Sequence, residues 1–466
     1  MNDPADNPNK KLLRFRSALW PLSIGTLLRC SLMVAAWHRT GTRIMTQGDS
    51  ESYLEPARNM LHGIYSSHGQ TELDRTPGYP LFTALTGAAF GHTLLTVVVQ
   101  IALAAFTLLL IQRIAGLAFP HPRAGINAAW LFALDPASIT SSVRIMPETL
   151  FIFLLATVIE RLLTFHRNSN IKSLIAAGLL LAAATYVRPV SYYLVLPLSI
   201  AVAIPHGSRK GLRWQAPLVL LLSTLPWLAA WQIRSAHEAG YSGFSSIVEK
   251  NLYYFQSAEV TAELNGTSLA VEQSRLGYNS EASYLAIHPE QLRWTQAQRL
   301  QFMRASAMSI LAQHRGLYLR SHFLGVALVA FTPAATEFLQ LLDLYPSPQS
   351  MPHRILNEGV AHSFWTTLPD HPALFIGMTL FEVWLLFLYA SAVVCGLLAD
   401  GSRFAVLTLV GIVTYFLLIS GGAQAVGRYR LPVLPEICVL AGGGLAAVTK
   451  RKGAESKTPL PSFTSI

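Results

Sequence analysis

The sequence has 466 residues, of which 52% are hydrophobic and only 13% are charged, and its net charge is +10. Soluble domains carry about 25% charged residues, so this composition excludes an ordinary soluble protein and favours one polytopic membrane body. The basic residues collect at the ends of apolar runs and form no stripe that would bind nucleic acid.

A polar N-terminal tail, residues 1–16, precedes the first apolar run at about 17–37. This run is long and no clean cleavage site follows it, so we interpret it as a signal anchor with a cytoplasmic N-terminus. Arg29 inside the run is expected to face protein or to snorkel. The first outer loop, 38–78, then carries the acidic stretch GDSESYLEP.

Further segments have about the length that crosses a bilayer. They lie at about 94–112, 124–141, 148–165, 171–186, 190–205, 214–233, 372–398, 404–420 and 431–448. Basic clusters at their ends predict which loops face outward. These outer loops are 38–78, 142–147, 187–189, 234–316 and 421–430. The shorter runs 79–91 and 319–341 are interpreted as a membrane-lying half-helix and as a re-entrant or juxtamembrane element broken at FTPAA.

The sequence therefore predicts an all-α polytopic membrane protein with about ten to twelve spanning helices. It divides into a cytoplasmic tail, a transmembrane module with the first outer loop, an outer elaboration, a group of C-terminal transmembrane helices and a basic disordered tail. The bounds of these parts are 1–16, 17–235, 236–371, 372–448 and 449–466.

Polar side chains from five separate segments fall at the same predicted membrane surface. They are Asp49, Glu51 and Tyr53 in GDSESY, Arg75 and Tyr79 in DRTPGYP, Arg144 and Glu148 in RIMPETLF, Arg188 in YVRPVSYY, and Arg428 and Arg430 in GRYRLP. Guanidinium groups bind phosphate bidentately, and a carboxylate can take a proton from an incoming hydroxyl or amine. Acids and several arginines at one interface are what sugar transfer from a lipid phosphate requires.

The same stretches resemble the integral-membrane GT-C glycosyltransferases, in particular the protein O-mannosyltransferase and aminoarabinose transferase group (glycosyltransferase family 39-like). The resemblance covers about 15–235 and 400–445 and runs through GDSESYLEPARNMLHG, DRTPGYPLF, FALDPASITSSVRIMPETLFIF, YVRPVSYY and GRYRLPVLP. It implies a GT-C fold, a polyprenyl-phosphate-linked sugar donor and an active site facing the periplasm of a bacterial inner membrane. It also implies that Asp49 is the main catalytic acid and that Arg75 binds the donor phosphate.

Each polar residue at this surface has an expected role. We expect Asp49, Glu51 and Glu148 to be catalytic, Arg75, Arg188, Arg428 and Arg430 to bind the donor phosphate, and Tyr53 and Tyr79 to position the substrate. Asp49 serves as general base or positions the acceptor. Because Arg428 and Arg430 alternate, one of the two is expected to point into the site. Asp135, in ALDPAS, is interpreted as structural.

The expected partners are a polyprenyl-phosphate sugar, membrane lipids and a lipid, glycan or protein acceptor. A divalent metal is left open, since His62 and His68 near the acids lack ligand spacing. One alternative function is a secondary transporter or flippase of an anionic lipid or lipid-linked sugar, although transporters place such charges near the bilayer midplane. A glycan ligase with a pyrophosphate donor is the other alternative.

Overall fold

The computed structural model describes residues 8–46, 48–204, 214–344 and 372–455. These residues are almost entirely helical. The α-helices are α1 (Pro8–Thr40), α2 (Glu51–Met60), α3 (Gly78–Thr86), α4 (Thr93–Ala118), α5 (Arg123–Leu134), α6 (Pro136–Val143), α7 (Glu148–Asn168), α8 (Ile171–Val187), α9 (Val195–Ala203), α10 (Gln215–Ala239), α11 (Ile247–Asn251), α12 (Ala258–Asn265), α13 (Leu269–Arg275), α14 (Glu281–Ile287), α15 (Gln296–Gln313), α16 (Arg315–Phe331), α17 (Thr336–Leu341), α18 (Pro372–Leu398), α19 (Arg403–Ile419) and α20 (Leu434–Glu455).

Short connecting elements complete the described chain. 3-10 turns lie at Gly41–Thr46, Gly48–Ser50, Ala88–Phe90, Pro189–Leu194, Pro289–Gln291 and Gly427–Val433, and Leu252–Ser257 forms a π-helical turn. In the first loop, β1 (Ser66–Ser67) pairs antiparallel with β2 (Gln70–Thr71), and Ser66 lies opposite Thr71.

Six helical stretches are long and apolar enough to cross a membrane. They are Leu19–Thr46, Thr93–Ala118, Glu148–Asn168, Gln215–Ala239, Phe375–Leu398 and Gly427–Arg451. Three shorter apolar helical stretches, Ile171–Val187, Pro189–Ala203 and Arg403–Ile419, accompany them. The predicted all-α polytopic fold is confirmed, and the protein is a multi-pass integral membrane protein.

The described parts of every segment predicted to span are helical, but three of these segments are not one continuous α-helix. The segment 124–141 is broken into α5 and α6, and 190–205 and 431–448 each begin in a 3-10 turn before α9 and α20. The segment 79–91, interpreted as a membrane-lying half-helix, contains the nine-residue α3 and a 3-10 turn. In 319–341 the helix ends at Phe331, as the FTPAA pattern indicates, and α17 follows. One of the basic clusters used to predict which loops face outward, residues 209–213, lies outside the described residues, as does the tail beyond 455.

The break between α5 and α6 is built by Asp135 and Pro136. Asp135 has an extended backbone, and its carboxylate accepts the backbone N–H of Ser138 at 2.7 Å and the indole N–H of Trp384 at 3.0 Å. Proline favours the first position of a helix and cannot continue the preceding one. The fully buried Arg29 donates to the Ser138 hydroxyl at 2.8 Å, so it faces protein. Asp135 is structural, as predicted.

A second, smaller core lies beyond the membrane helices. It joins the end of α10 to α15 through buried aromatic residues, among them Tyr241, Tyr253, Tyr254 and Tyr284. Leu73 from the first loop is buried in the same cluster. The first loop and the 241–303 region therefore pack together at one end of the bundle.

Candidate active site

The turn that carries Asp49 is fixed against the connection between α6 and α7. The buried hydroxyl of Ser50 donates to the carbonyl of Ile145 at 2.9 Å, and the Ile145 N–H donates to the carbonyl of Met45 at the same distance. Asp49 lies in the 3-10 turn directly before α2. Because α6 starts at Pro136 and ends at Val143, the residues that follow it return to the first loop and hold the turn that carries Asp49.

Arg428 joins two predicted acids that are far apart in the sequence. Its Nη2 lies 3.0 Å from the Asp49 carboxylate, across 379 residues, and its Nε lies 3.9 Å from Glu148. Glu148 starts α7, and its side chain is 3% exposed. Arg188, which follows α8, reaches the same Glu148 oxygen at 3.2 Å. These four residues form one cluster, which we call the acid–arginine cluster.

Asp49 is the accessible acid of this cluster, with 47% of its side chain exposed. Partial desolvation raises the pKa of the Asp49 carboxyl, but the charges of Arg428, Arg75 and Arg144 outweigh this and leave the pKa below its ordinary value. Asp49 is therefore ionised at neutral pH. Glu148 is covered by protein, and Arg428 and Arg188 balance its charge.

Arg75 lies at the edge of the cluster and is held by neutral groups. Its guanidinium lies over the ring of Tyr53, 4.6 Å from the ring centroid, and donates to Ser52 and to the Tyr53 hydroxyl at 3.0 and 3.2 Å. The neighbouring Asp74 bonds instead to Lys250 at 2.5 Å. Because no carboxylate takes up its charge through a salt bridge in the described structure, Arg75 is suited to an anionic ligand.

A close approach of backbones places Arg75 beside the end of α8. Gly78 starts α3 three residues after Arg75, and a Cβ at this position would lie 2.7 Å from the carbonyl of Tyr186. Only glycine permits this contact without a shift of the chain. The contact brings the first loop next to the segment that carries Arg188.

Three predicted site residues lie elsewhere. Glu51 is 66% exposed and pairs with Arg58 on the surface of α2, outside the acid–arginine cluster. Tyr79 is completely buried, and its hydroxyl donates to the Gln100 side chain at 2.8 Å. Gln100 in turn donates to the carbonyl of Arg144 at 2.7 Å, so Tyr79 supports the cluster from within the protein and does not reach a substrate.

Arg430 is the third of these residues. Its guanidinium is buried and donates to the carbonyls of Val329 and Ala330 at 2.7 and 2.9 Å, and also to that of Thr332. These carbonyls end α16 and lack helical partners of their own. The expectation that one of the two alternating arginines enters the site agrees with the structure. Arg428 lies in the cluster, whereas the Arg430 guanidinium bonds to the end of α16, so the phosphate-binding role of Arg430 stays a prediction that this geometry does not favour.

A small cavity lies behind the cluster and contains residues that the sequence did not assign. Its volume is about 20 Å³, and Arg144, Glu148, Glu337 and Arg428 line it. One Glu148 oxygen is buried without a hydrogen-bond partner among the described residues. The space holds about one water molecule, which could serve that oxygen. No sequence signal marks Glu337, which lies on the six-residue α17.

A larger cavity of about 450 Å³ opens in front of Asp49. Asp49, Arg75 and Tyr429 are among its lining residues, and residues between 247 and 303 supply most of the rest of the lining. This second group was missed because the 236–371 region carries no recognised motif. The cavity is large enough for a substrate and reaches the one accessible acid of the cluster.

The described residues do not form a site that fits a divalent metal. No group of three or more His, Cys, Asp or Glu side chains comes together within them. The Asp49 and Glu148 carboxylates contact arginines, and His68 is a surface residue near Glu55. The two acids of the acid–arginine cluster are thus balanced by guanidinium groups.

Comparison with known proteins identifies the architecture. Residues 74–232 match the family model of dolichyl-phosphate-mannose-protein mannosyltransferases. The structure aligns over 98% of its length with the oligosaccharyltransferase AglB of Archaeoglobus fulgidus, solved with an inhibitory peptide and a dolichol-phosphate, at a TM-score of 0.52 and 13% identity. The chain has the GT-C fold. The predicted resemblance to GT-C membrane glycosyltransferases is confirmed at the level of fold.

This GT-C chain spans about half the length of AglB, since the alignment covers 53% of that protein. ArnT from Cupriavidus metallidurans bound to undecaprenyl phosphate also aligns, over 94% of this chain and 81% of that one, at a TM-score of 0.36 and 14% identity. A search of curated protein sequences finds no significant match.

Proposed function

We propose that this protein is a membrane glycosyltransferase that moves a sugar from a polyprenyl-phosphate-linked donor to an acceptor at the periplasmic face of a bacterial inner membrane. The observation that carries the proposal is Arg428, which lies between the accessible Asp49 and the buried Glu148 beside a substrate-sized cavity. Residues 74–232 match a family that is described as dolichyl-phosphate-mannose-protein mannosyltransferases, and AglB was solved with dolichol-phosphate. Both support a lipid-phosphate donor here.

In this proposal Arg428, Arg188 and Arg75 hold the donor phosphate. Arg428 and Arg188 contact buried Glu148, which fixes their guanidinium groups before the donor arrives. Arg75 is held over Tyr53 with its charge available. When the bond between the anomeric carbon and the phosphate oxygen breaks, the electron pair remains on that oxygen, and these three cations stabilise the charge.

Asp49 acts on the acceptor. The acceptor oxygen forms a bond to the anomeric carbon and loses its proton to the Asp49 carboxylate. The pKa of Asp49 lies below its ordinary value, so Asp49 is a weak base. A weak base is sufficient, because the hydroxyl becomes strongly acidic as its oxygen bonds to the electron-poor carbon. The same carboxylate also orients the attacking hydroxyl before the reaction.

The test measures consumption of a panel of undecaprenyl-phosphate sugars by the purified full chain in detergent. We expect wild type to release undecaprenyl phosphate from one donor, and Arg188→Gln to bind that donor at least about tenfold more weakly, since hydrogen bonds to charged groups contribute about 1.5–3 kcal/mol. Arg167→Gln is the matched control, because Arg167 is exposed near the other end of α7. Failure of wild type to bind any donor would overturn the proposal.

A further inference from the structure

The cavity in front of Asp49 has a wall whose composition the donor chemistry does not explain. Four aromatic residues of the 241–303 region line it, namely Tyr254, Phe255, Tyr278 and Tyr284. Asp49 lies at its other side. Because the donor phosphate is assigned to the arginines near the membrane helices, this wall is left without a role in donor binding.

Tyr278 presents the open aromatic surface. The residue is 47% exposed, while Tyr254 and Phe255 pack behind it with ring centroids 5.3 Å away. Burial and the nearby negative charge of Asp49 raise the pKa of the Tyr278 hydroxyl. Tyr278 is therefore a neutral, well-supported ring within electrostatic reach of the proposed catalytic acid.

Two irregular backbone features hold this aromatic wall in place. Tyr254 and Phe255 lie in the π-helical turn Leu252–Ser257, a rare element that is frequent at functional sites. Gly277 has φ of +76°, and a Cβ there would lie 2.5 Å from the Cα of Tyr284. Glycine is thus required directly before Tyr278.

The wall is also tied to the acid–arginine cluster. Gln256, in the π-helical turn, donates to the side chain of Gln424 at 2.8 Å. Gln424 lines the cavity four residues before Arg428. A ligand that contacts the aromatic wall therefore touches a surface that is continuous with the proposed catalytic residues.

The charged groups of the cavity are balanced and largely paired. Lys250 bonds to Asp74 at 2.5 Å, and Arg299 pairs with Glu281 at the rim. Gln70 donates to the Glu281 carboxylate at 2.9 Å. The three acids that line the cavity, Asp49, Asp74 and Glu281, are matched in number by its three basic residues, Arg75, Lys250 and Arg299. The lining thus offers planar carboxylate, amide and guanidinium groups without a net charge that would select a strongly charged ligand.

We infer that the acceptor is a neutral oligosaccharide, whose terminal sugar stacks on Tyr278 and directs a hydroxyl to Asp49. The inference rests on the proposed transferase function, because it assigns the acceptor of that reaction. A pyranose has one face of C–H groups that packs on an aromatic ring and an edge of hydroxyls that bonds to planar polar side chains. The volume of about 450 Å³ suits a short oligosaccharide.

The experiment first measures binding without any donor, so that it does not depend on transfer. Saturation-transfer NMR with the full chain in detergent would probe neutral di- to tetrasaccharides built from hexoses, N-acetylhexosamines, deoxyhexoses and pentoses. We expect at least one saccharide to bind, and Tyr278→Ala to weaken its binding about tenfold or more, since truncation of a contact-centre aromatic commonly costs this much. Tyr278→Trp should restore binding because it keeps an aromatic face.

The matched control is Tyr193→Ala, which removes a similarly exposed tyrosine (57% against 47%) outside the cavity and should leave saccharide binding unchanged. A second measurement follows transfer of label from the donor to the bound saccharide, to Ser/Thr peptides and to lipid A. Donor consumption with label only on peptide or lipid A, or no binding across the saccharide panel, would overturn the inference. Saccharide binding that is sensitive to Tyr278 without consumption of any donor would instead support the site and reject the transferase proposal.

Discussion

At the scale of single residues, the central feature is the contact of Arg428 with both Asp49 and Glu148. The two acids differ in access, since Asp49 is half exposed and Glu148 is almost completely covered. A covered carboxylate between two arginines orients their guanidinium groups, and an accessible one can meet a substrate hydroxyl. This difference separates a positioning acid from a proposed catalytic one.

The arginines around Asp49 predict a pH dependence. Asp49 acts as a base only when deprotonated, and a pKa below its ordinary value moves the acidic limb of kcat/KM to lower pH. Arg428→Gln removes the largest of the charges that lower this pKa. We therefore expect the acidic limb of the residual activity to shift to higher pH in that variant. An acidic limb at the wild-type pH in Arg428→Gln would show that this limb does not arise from the titration of Asp49.

The alternating pair Arg428 and Arg430 gives a second residue-level prediction. Arg430→Gln removes hydrogen bonds from a guanidinium to the end of α16, at about 1.5–3 kcal/mol for a charged hydrogen bond, so it should lower the melting temperature. Donor affinity measured well below that temperature should stay at the wild-type value. Arg428→Gln should weaken donor binding, which Arg430→Gln should leave unchanged. Thermal unfolding and donor titration on both variants check this, and a large loss of affinity in Arg430→Gln would contradict the assignment.

The sequence predicted which residues come together in the acid–arginine cluster, but it did not predict which of them contact each other. Asp49, Glu148, Arg188 and Arg428 come together as their position at one membrane surface predicts. Whether the other predicted site residues reach the cluster depends on how deeply their side chains are buried, and a single sequence does not show this. Tyr79 is buried and donates to Gln100, whereas Glu51 lies on the surface of α2.

At the scale of elements, the break between α5 and α6 sets the position of the site. It shortens the span so that residues 144–148 can return to the first loop and start α7. The break depends on Asp135, which caps α6 and bonds to Trp384. The ALDPAS pattern predicted a structural acid, although not its partners.

Substitutions at Asp135 test the role of this break. Loss of a helix N-cap costs about 0.5–2 kcal/mol, so Asp135→Ala should lower the melting temperature of the protein in detergent. Asp135→Asn is the matched control, because asparagine caps helices as well as aspartate does. We expect Asn to remain close to wild type. Equal destabilisation by both substitutions would indicate that the charge, and not the cap, stabilises the break.

The elements of the outer region were the hardest to predict. The 241–303 region carries a π-helical turn and several short helices with a shared aromatic core. Short helices have weak periodicity, and a π-helical turn shifts the register of the side chains that follow it. The aromatic wall could therefore not be located from spacing alone.

At the scale of the whole molecule, the position of the acid–arginine cluster favours the proposed transferase over a transporter. The acid–arginine cluster lies where α7 starts, and the turn from α7 to α8 lies at the opposite end of the bundle. A transporter exposes its binding site to both sides in turn. A transferase of this kind keeps its site open to one side.

Cysteine labelling in membrane vesicles distinguishes these two classes. Ser280 lines the larger cavity and Asn170 is exposed in the turn after α7. With an impermeant thiol reagent, Ser280→Cys should react from one side only and Asn170→Cys from the other. The natural Cys395 and Cys438 are buried, while Cys30 is partly exposed, so the parent protein gives the background. Labelling of Ser280→Cys from both sides would favour the transporter.

The most direct test compares Asp49→Asn with wild type for binding and turnover of the polyprenyl-phosphate sugar that wild type consumes. The amide keeps the shape of the side chain but cannot accept the acceptor's proton. We predict unchanged expression, retained donor binding and a loss of turnover of about 10²–10⁴-fold, the usual contribution of a general base. Glu51→Gln, on an exposed and separately paired acid, should remain close to wild type. Wild-type turnover by Asp49→Asn would contradict the account.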